Sequence, residues 1–336
     1  MHSVAAEVYR WWQERGSAEL ERAYLGASIL GGPCERALWY AFRWADERTF
    51  DGRTYRLFER GRNEERTIIE ELRGIGAEVS DAAPDGSQWG FVDLGGHFRG
   101  HIDAAVRNTP YAEKTWAVLE AKTHSLKSFR ELTDKGVEKS HPTHYAQMQI
   151  YMGQLGMDRA LYYAVCKDND QIHTEWLHFS AEEYERLMQR ARRIIEAPEP
   201  LQKISNDASW YQCKWCDYAS ICHGTAAPRP HCRTCAHSTP VGDGWNCARH
   251  EADIPLEAQR TGCEHHRYIP VLLENFAEYQ GTPDGENPWY RNTLTGATFA
   301  NGHYTSQEIR AAQDKRALGD AGVESFRNEF AARIAA

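Results

Sequence analysis

Hydrophobic residues recur at helical spacing along several stretches of the chain. The first stretch, residues 4–25, predicts one or two helices. Pro33 suits the first turn of another helix, which continues through Leu38 and Phe42. Further helices are predicted at residues 63–72, 128–136, 143–155 and 182–195.

Strand-like patterns lie between these helical stretches. From residue 78 the spacing changes to short alternating runs, and in residues 98–106 every second residue is apolar or glycine. Similar short runs at residues 116–122, 161–165 and 174–179 predict further strands. The helices and strands together predict a mixed α/β fold.

Composition limits the number of domains and the class of protein. A chain of 336 residues with 41% hydrophobic residues is long enough for one large domain and one or two small ones. No apolar run approaches the roughly 18 residues of a membrane helix, and the start lacks the pattern of a signal peptide. We therefore expect a cytoplasmic protein, in a bacterium or a phage-infected host cell, with no membrane partner. The net charge of −9 argues against a generally basic, nucleic-acid-binding surface but leaves room for a local basic cleft.

Nine cysteines in a chain without an export signal favour metal ligation over disulfides. Cys34 stands alone near the start, and three cysteines follow much later in a C-x2-C-x5-C pattern: Cys213, Cys216 and Cys222. If the four thiolates share one metal centre, residue 34 must lie close to residue 213, and the metal crosslinks the two ends of the segment between them. An iron-sulfur cluster and a four-thiolate zinc site both fit this ligand set.

A second cysteine set follows a proline-containing linker near residue 227. Residues 231–268 hold hardly any aliphatic side chains, so this piece is expected to depend on a metal. We predict a zinc ribbon or finger with four cysteine ligands: Cys232, Cys235, Cys247 and Cys263. His250, His265 and His266 are alternative ligands, and Cys166 is expected to be a packing residue in a buried strand.

Two carboxylates and a lysine form the most informative constellation. Glu120 and Lys122 are two apart on a predicted strand and so point to the same face, while Asp103 lies on the preceding strand. If those strands pair as a hairpin, the three groups converge. Adjacent carboxylates bind Mg2+ well, and a cation beside an ammonium meets the needs of phosphodiester hydrolysis.

These residues resemble the D…(D/E)xK core of the PD-(D/E)XK nuclease superfamily. In that superfamily both acids bind metal and the lysine helps to position and activate water, which implies these roles for Asp103, Glu120 and Lys122. Gln147 and Tyr151 resemble the Q-x3-Y element of the RecB-like subgroup, which contacts DNA and supports the catalytic lysine; Gln149 is a competing glutamine.

A further metal ligand is implied near the start of the helix at residues 63–72. In the RecB-like subgroup this ligand, often histidine, follows a glycine by four residues. Here Glu65 follows Gly61 by that spacing, and many phage-type members have an acid there. The alternative is a surface glutamate that favours the helix dipole.

The order of these motifs from residue 34 to residue 222 resembles the iron-sulfur RecB-like nucleases, which include CRISPR-associated exonucleases and many phage exonucleases. The resemblance implies that Cys34, Cys213, Cys216 and Cys222 hold a 4Fe-4S cluster, with zinc as the alternative. It also implies a restriction-endonuclease-like core, in which helices flank a mixed central sheet. We divide the chain into a nuclease domain at 1–226, a zinc-binding module at 227–270 and a C-terminal α+β segment at 271–336.

The expected function is a Mg2+- or Mn2+-dependent DNA nuclease in recombination, repair or phage DNA processing. The family resemblance favours an exonuclease that acts on linear ends or single strands, with a recombination or annealing protein as a further partner. One alternative is a catalytically idle nuclease fold that binds DNA or a partner protein. Another is a redox-responsive regulator in which the cluster is the sensor.

Overall fold

The computed structural model describes residues 3–17, 20–110 and 112–335. The helices, in chain order, are α1 Val4–Ser17, α2 Ala27–Leu30, α3 Glu35–Phe42, α4 Gly52–Gly74, α5 Leu126–Ser140, α6 Pro142–Leu155, α7 Ala181–Glu196, α8 Tyr211–Lys214, α9 Ala219–Cys222, α10 Leu256–Thr261, α11 Ser306–Ala311 and α12 Ala321–Phe330. The strands are β1 Leu25–Gly26, β2 Glu78–Ser80, β3 Gly90–Asp93, β4 Phe98–His101, β5 Ala104–Arg107, β6 Ala117–His124, β7 Arg159–Cys166, β8 Ile172–His178, β9 Ser238–Val241, β10 Gly244–Cys247, β11 Ala252–Asp253, β12 Ala277–Gly281, β13 Trp289–Asn292 and β14 Thr298–Ala300. The predicted mixed α/β character is confirmed.

The chain forms two compact units. The first consists of Met1–Gly32 and Thr49–Arg193, and the second of Pro33–Arg48 and Ile194–Ala336. The module boundaries predicted at residues 226 and 270 stay predictions. Within the described ranges, no helix has the length and apolar character needed to cross a membrane.

A five-stranded mixed sheet forms the centre of the first unit, in the order β2-β5-β6-β7-β8. β6 and β7 run parallel, joined through α5 and α6, and the other neighbours are antiparallel. Helices are the usual link between parallel strands because the chain must cross from one end of the sheet to the other. β7 is buried along nearly its whole length, which explains its almost continuous apolar sequence.

One face of this sheet packs against α4. Ile68, Ile69 and Leu72 lie on the inner side of the helix and contact alternate residues of the sheet, including Leu119 and Leu161. This apolar cluster fixes α4 over β5 and β6. The spacing at residues 63–72 predicted only the second half of a helix that begins at Gly52.

The opposite face of β6 packs against α5 and α6. α6 begins with Pro142, and Gly156 ends it in the left-handed conformation with φ of 67°. Its middle turns, from Ala146 to Met152, are buried throughout. The helix therefore brings every side chain of this stretch into contact with protein.

A smaller sheet in the first unit has the order β1-β4-β3. The alternation predicted through residues 98–106 is confirmed as strand structure, but it is divided between two sheets. β4 ends at His101 and β5 begins at Ala104 in the five-stranded sheet. Asp103 thus lies at a transition between sheets.

The second unit contains two antiparallel three-stranded sheets, β9-β10-β11 and β12-β13-β14. β13 and β14 form a hairpin, with residue pairs from Trp289–Ala300 to Arg291–Thr298. α12 follows this hairpin along the chain, and Asp320 caps it through its side chain.

Candidate active site

Asp103 and Glu120 lie side by side where β5 and β6 pair. Ala104 is the register partner of Leu119, so the next residue pair outward is Asp103 and Glu120. Asp103 Oδ2 accepts a hydrogen bond from the backbone N–H of Ala121 over 2.8 Å. The predicted hairpin therefore brings the two carboxylates together.

Glu120 is fully buried, with 0% of its surface exposed. Burial raises the pKa of its carboxyl group to about 7; the Lys122 ammonium opposes this shift and Asp103 adds to it. Lys122 Nζ forms an ion pair with Glu120 Oε1 and lies 4.0 Å from Asp103 Oδ2. Burial works against the charged lysine, but the two carboxylates outweigh it and raise the lysine pKa.

Glu65 joins these groups from α4. It lines a single cleft with Gly61, Asp103 and Lys122. Partial burial, followed by repulsion from Asp103, raises the pKa of Glu65 to about 7. Glu65 and Asp103 therefore place two repelling carboxylates in this cleft beside the Lys122 ammonium, whereas Glu120 is buried and does not line it.

Carboxylate oxygens of the kind found here are the ligands that hard divalent cations prefer. Glu120 Oε2 is sealed from solvent, and no described N–H or O–H group donates a hydrogen bond to it. A buried carboxylate oxygen without a donor is costly unless a cation or a proton satisfies it. Within the described part of the chain, no group of three or more His, Cys, Asp or Glu side chains is arranged to hold a metal ion. The Lys122 ammonium lies between Glu120 and Asp103.

The two glutamines of α6 have different environments. Gln147 donates a hydrogen bond from Nε2 to Tyr151 Oη over 3.1 Å, and Glu120 and Asp103 are near enough to influence that phenol. Gln149 is fully buried; it accepts from the Ser180 N–H and donates to a backbone carbonyl, which accounts for its polar groups. The geometry thus associates Gln147, and not Gln149, with the carboxylate site.

The sequence interpretation missed a set of polar residues beside Lys122. His124 continues the alternation that begins with Glu120 and Lys122, and Tyr162 is the register partner of Glu120 on β7. Tyr162 Oη is hydrogen-bonded to His124 Nε2 and His144 Nδ1, each over 2.8 Å. The available signals were the two-residue spacing to His124 and the three-residue spacing from His144 to Gln147.

The first cysteine set converges within the second unit. Its members line one small cavity, together with Tyr40 and Lys203: Cys34, Cys213, Cys216 and Cys222. Burial, with Cys34 as a further contributor, raises the pKa values of the last three thiols. Four thiols around one cavity form a donor set that suits a thiophilic metal or an iron-sulfur cluster.

The second cysteine set lines a separate cavity of the same unit, beside β9 and β10: Cys232, Cys235, Cys247 and Cys263. Burial and then the three neighbouring thiols raise the pKa of Cys232 to about 12. His266 hydrogen-bonds Ser306 Oγ over 2.7 Å and Thr234 Oγ1 over 3.2 Å, so both its ring nitrogens are engaged within the protein. His250 Nε2 lies 3.8 Å from Cys263 Sγ, and His265 lines the cavity.

A family model described as the PD-(D/E)XK nuclease superfamily matches residues 1–223. The chain belongs to the PD-(D/E)XK nuclease superfamily. The match includes each residue of the carboxylate cleft and the first cysteine set. No curated protein matches the sequence.

Solved structures similar to this superfamily member include three proteins of low identity. SSO0001 is 17% identical with a TM-score of 0.41, and the match covers 66% of this chain and 96% of that one. An alkaline exonuclease from Laribacter hongkongensis is 14% identical with a TM-score of 0.38, covering 55% and 90%. A phage-related exonuclease from Haemophilus somnus 129PT is 16% identical with a TM-score of 0.36, covering 54% and 94%.

Proposed function

We propose that this superfamily member is a Mg2+- or Mn2+-dependent deoxyribonuclease, acting as an exonuclease on linear ends or single strands. The observation that carries the proposal is the sealed Glu120 carboxylate beside Asp103 and Lys122, with one oxygen that no described donor satisfies. The Lys122 ammonium pairs with one oxygen of this carboxylate, and a bound cation would satisfy the other.

The proposed metal ligands are Asp103, Glu120 and Glu65. When bound, the metal would neutralise phosphate charge and lower the pKa of a water molecule. These oxygen ligands come from β6, from the turn before β5 and from α4, and the hydrogen bond from Ala121 holds the Asp103 carboxylate in place. Raised pKa values of Glu65 and Glu120 mean that metal binding displaces protons from the site near neutral pH.

Lys122 has the role of a fixed positive charge. Its pKa is raised by Glu120 and Asp103, so it stays an ammonium throughout the neutral range. An ammonium on the same strand face as a metal ligand is suited to orient the attacking water or to stabilise charge that develops on the phosphate. Gln147 and Tyr151 are proposed to support this lysine from within the protein, because both side chains are buried.

The two cysteine cavities have proposed structural roles. We assign a 4Fe-4S cluster to Cys34, Cys213, Cys216 and Cys222, as in the RecB-like iron-sulfur nucleases, with zinc as the alternative. We assign zinc to Cys232, Cys235, Cys247 and Cys263 in a ribbon-like module. The first assignment is supported by one cavity lined by all four thiols, and the second by the cavity beside β9 and β10.

Digestion of end-labelled linear DNA and covalently closed circular DNA tests this proposal. We expect Mg2+ or Mn2+ to support degradation of the linear substrate, EDTA to stop it, and the closed circle to survive. Cleavage of both forms at equal rates would replace the exonuclease proposal with an endonuclease. DNA binding without cleavage under any divalent metal would favour the idle, binding-only alternative.

A further inference from the structure

A continuous chain of hydrogen bonds lies on the Lys122 face of the central sheet. It begins at Ser140, whose Oγ is 2.6 Å from the Gly136 carbonyl oxygen and 2.7 Å from His141 Nδ1. His141 Nε2 is 2.9 Å from Ser128 Oγ, which is 3.0 Å from His124 Nδ1. From His124 Nε2 the chain continues through Tyr162 Oη to His144 Nδ1, each step over 2.8 Å.

The first hydrogen bond determines which group donates and which accepts in the rest of the hydrogen-bond chain. A carbonyl oxygen cannot donate, so the single hydroxyl proton of Ser140 lies between Ser140 and Gly136. Ser140 Oγ must therefore accept from His141 Nδ1–H, which leaves His141 Nε2 as an acceptor. Ser128 then donates to His141.

The same reasoning assigns the remaining links. Ser128 has used its one proton, so it accepts from His124 Nδ1–H, and His124 Nε2 becomes an acceptor. Tyr162 donates to that nitrogen and accepts from His144 Nδ1–H. The last ring nitrogen, His144 Nε2, is left with a lone pair and no proton.

This assignment requires neutral imidazoles, and the surroundings supply that condition. Burial lowers the pKa of His124 to about 4 and that of His144 to about 3, and it also lowers the pKa of His141. The Lys122 ammonium lowers the first two further. All three rings are therefore neutral at pH 7.

His144 lies near enough to Lys122 for the ammonium to act on its ring, and Tyr162, which accepts from His144, is the register partner of Glu120. His144 precedes Gln147 by three residues and Tyr151 by seven, so the three lie along one side of α6. The Lys122 ammonium lies against Glu120 and donates to the Ala121 carbonyl over 3.3 Å. Since an ammonium has three donors, it retains one for a further acceptor.

We propose that His144 is a further positioning residue of the active site, with Nε2 held by the hydrogen-bond chain as an unprotonated acceptor for the Lys122 ammonium. The purpose follows from the resting geometry, in which Lys122 lies between two proposed metal ligands. If Glu120 and Asp103 held a metal ion, the ammonium would need a neutral acceptor that does not compete for the metal. The inference rests on the proposed nuclease function for its role in catalysis, whereas the tautomer stands on the hydrogen bonds alone.

Two amide substitutions distinguish the roles of the two ring nitrogens of His144. In His144→Gln the amide reaches the position of Nε2 and keeps an acceptor for Lys122. In His144→Asn the shorter amide keeps a donor near Tyr162 Oη but has no acceptor at the Nε2 position. Loss of a hydrogen bond to a charged group predicts that the asparagine variant loses about 10- to 100-fold in kcat, and the glutamine variant no more than about threefold.

The deciding measurement is 15N NMR of the imidazole and lysine side chains in the full-length protein, with and without Mg2+. We expect His144 Nδ1 protonated, Nε2 unprotonated, and a Lys122 Nζ signal that shifts in His144→Asn but not in His144→Gln. Tyr162→Phe cuts the chain and should give His144 a mixture of tautomers. A protonated Nε2 in the wild type, or equal activity losses in both amide variants with folding verified by thermal unfolding, overturns the proposal. If the wild type cleaves no DNA, the nuclease function fails, while the NMR result still decides the tautomer and its lysine partner.

Discussion

Asp103 accepts a hydrogen bond from the backbone N–H of Ala121 over 2.8 Å. The bond holds a carboxylate from the turn between two sheets against the strand that carries Glu120 and Lys122. Asparagine can accept the same hydrogen bond but lacks the negative charge. Asp103→Asn should therefore keep the fold and lose metal-dependent cleavage by about a hundredfold or more.

Thermal unfolding and cleavage rates, measured on the same preparation, check this expectation. A variant that unfolds several degrees earlier and loses activity in proportion would show that Asp103 acts mainly in folding. A variant with wild-type activity would remove Asp103 from the metal site.

The two glutamines of α6 provide a matched pair. Gln147→Ala removes the hydrogen bond to Tyr151 near the carboxylates and should lower kcat about tenfold with little change in stability. Gln149→Ala leaves the Ser180 N–H and the His178 carbonyl without their partner and should cost about 2–4 kcal/mol of unfolding free energy. Denaturant unfolding and single-turnover cleavage distinguish these effects, and exchanged phenotypes would contradict the assignment.

Two buried histidines contribute to the pH dependence of stability. His124 and His144 have folded-state pKa values of about 4 and about 3, both below the ordinary value of 6.5. Between the folded and unfolded values the unfolded chain binds more protons, so the contribution of each histidine is fully present above pH 6.5 and is lost as the pH drops, by about 2 kcal/mol at pH 5. Glu65 and Glu120, whose folded pKa values are raised to about 7, contribute with the opposite sign over the same range.

Urea unfolding from pH 7 to pH 5 measures this slope. Glutamine does not titrate, so His144→Gln should lose about 2 kcal/mol less unfolding free energy than the wild type between pH 7 and pH 5. An unchanged slope in the variant would mean that His144 is not held neutral in the folded protein.

The first cysteine set predicts a coloured protein. Cys216→Ser should bleach the visible absorption of iron bound by thiolate and sulfide and lower the melting temperature. Cys166→Ala is the control, because Cys166 is buried in β7 and does not line that cavity. A colourless wild type with stoichiometric zinc by metal analysis would instead support the four-thiolate zinc alternative.

The sequence predicted the parts of the site that follow from local spacing. Glu120 and Lys122 share a face because they are two apart on a strand, and the hairpin with Asp103 needed only a polar connection between two apolar runs. The first half of α4 escaped prediction because Leu57 and Phe58 are exposed and leave no buried stripe there. Gln147 and Gln149 were ambiguous because α6 is buried on all sides, so helical periodicity gives no inner face.

The hydrogen-bond chain could not be predicted for a different reason. It joins residues from α5, α6, β6 and β7, and its direction depends on one contact between Ser140 and Gly136. Hydrogen bonds between residues so far apart in the chain produce no repeating pattern of hydrophobic and polar positions in the sequence. The same holds for the sealed Glu120 oxygen, which is recognisable only once the packing around it is known.

Metal-dependent release of nucleotides by wild type, Glu120→Gln and Glu70→Gln tests the central claim most directly. Glu120 carries the sealed oxygen, whereas Glu70 is an exposed glutamate on the outer side of α4. We predict that Mn2+ supports digestion of linear DNA by the wild type and Glu70→Gln, and that Glu120→Gln loses at least about a hundredfold while remaining folded. Equal activity of Glu120→Gln and wild type, or activity of the wild type that persists in EDTA, would contradict the account.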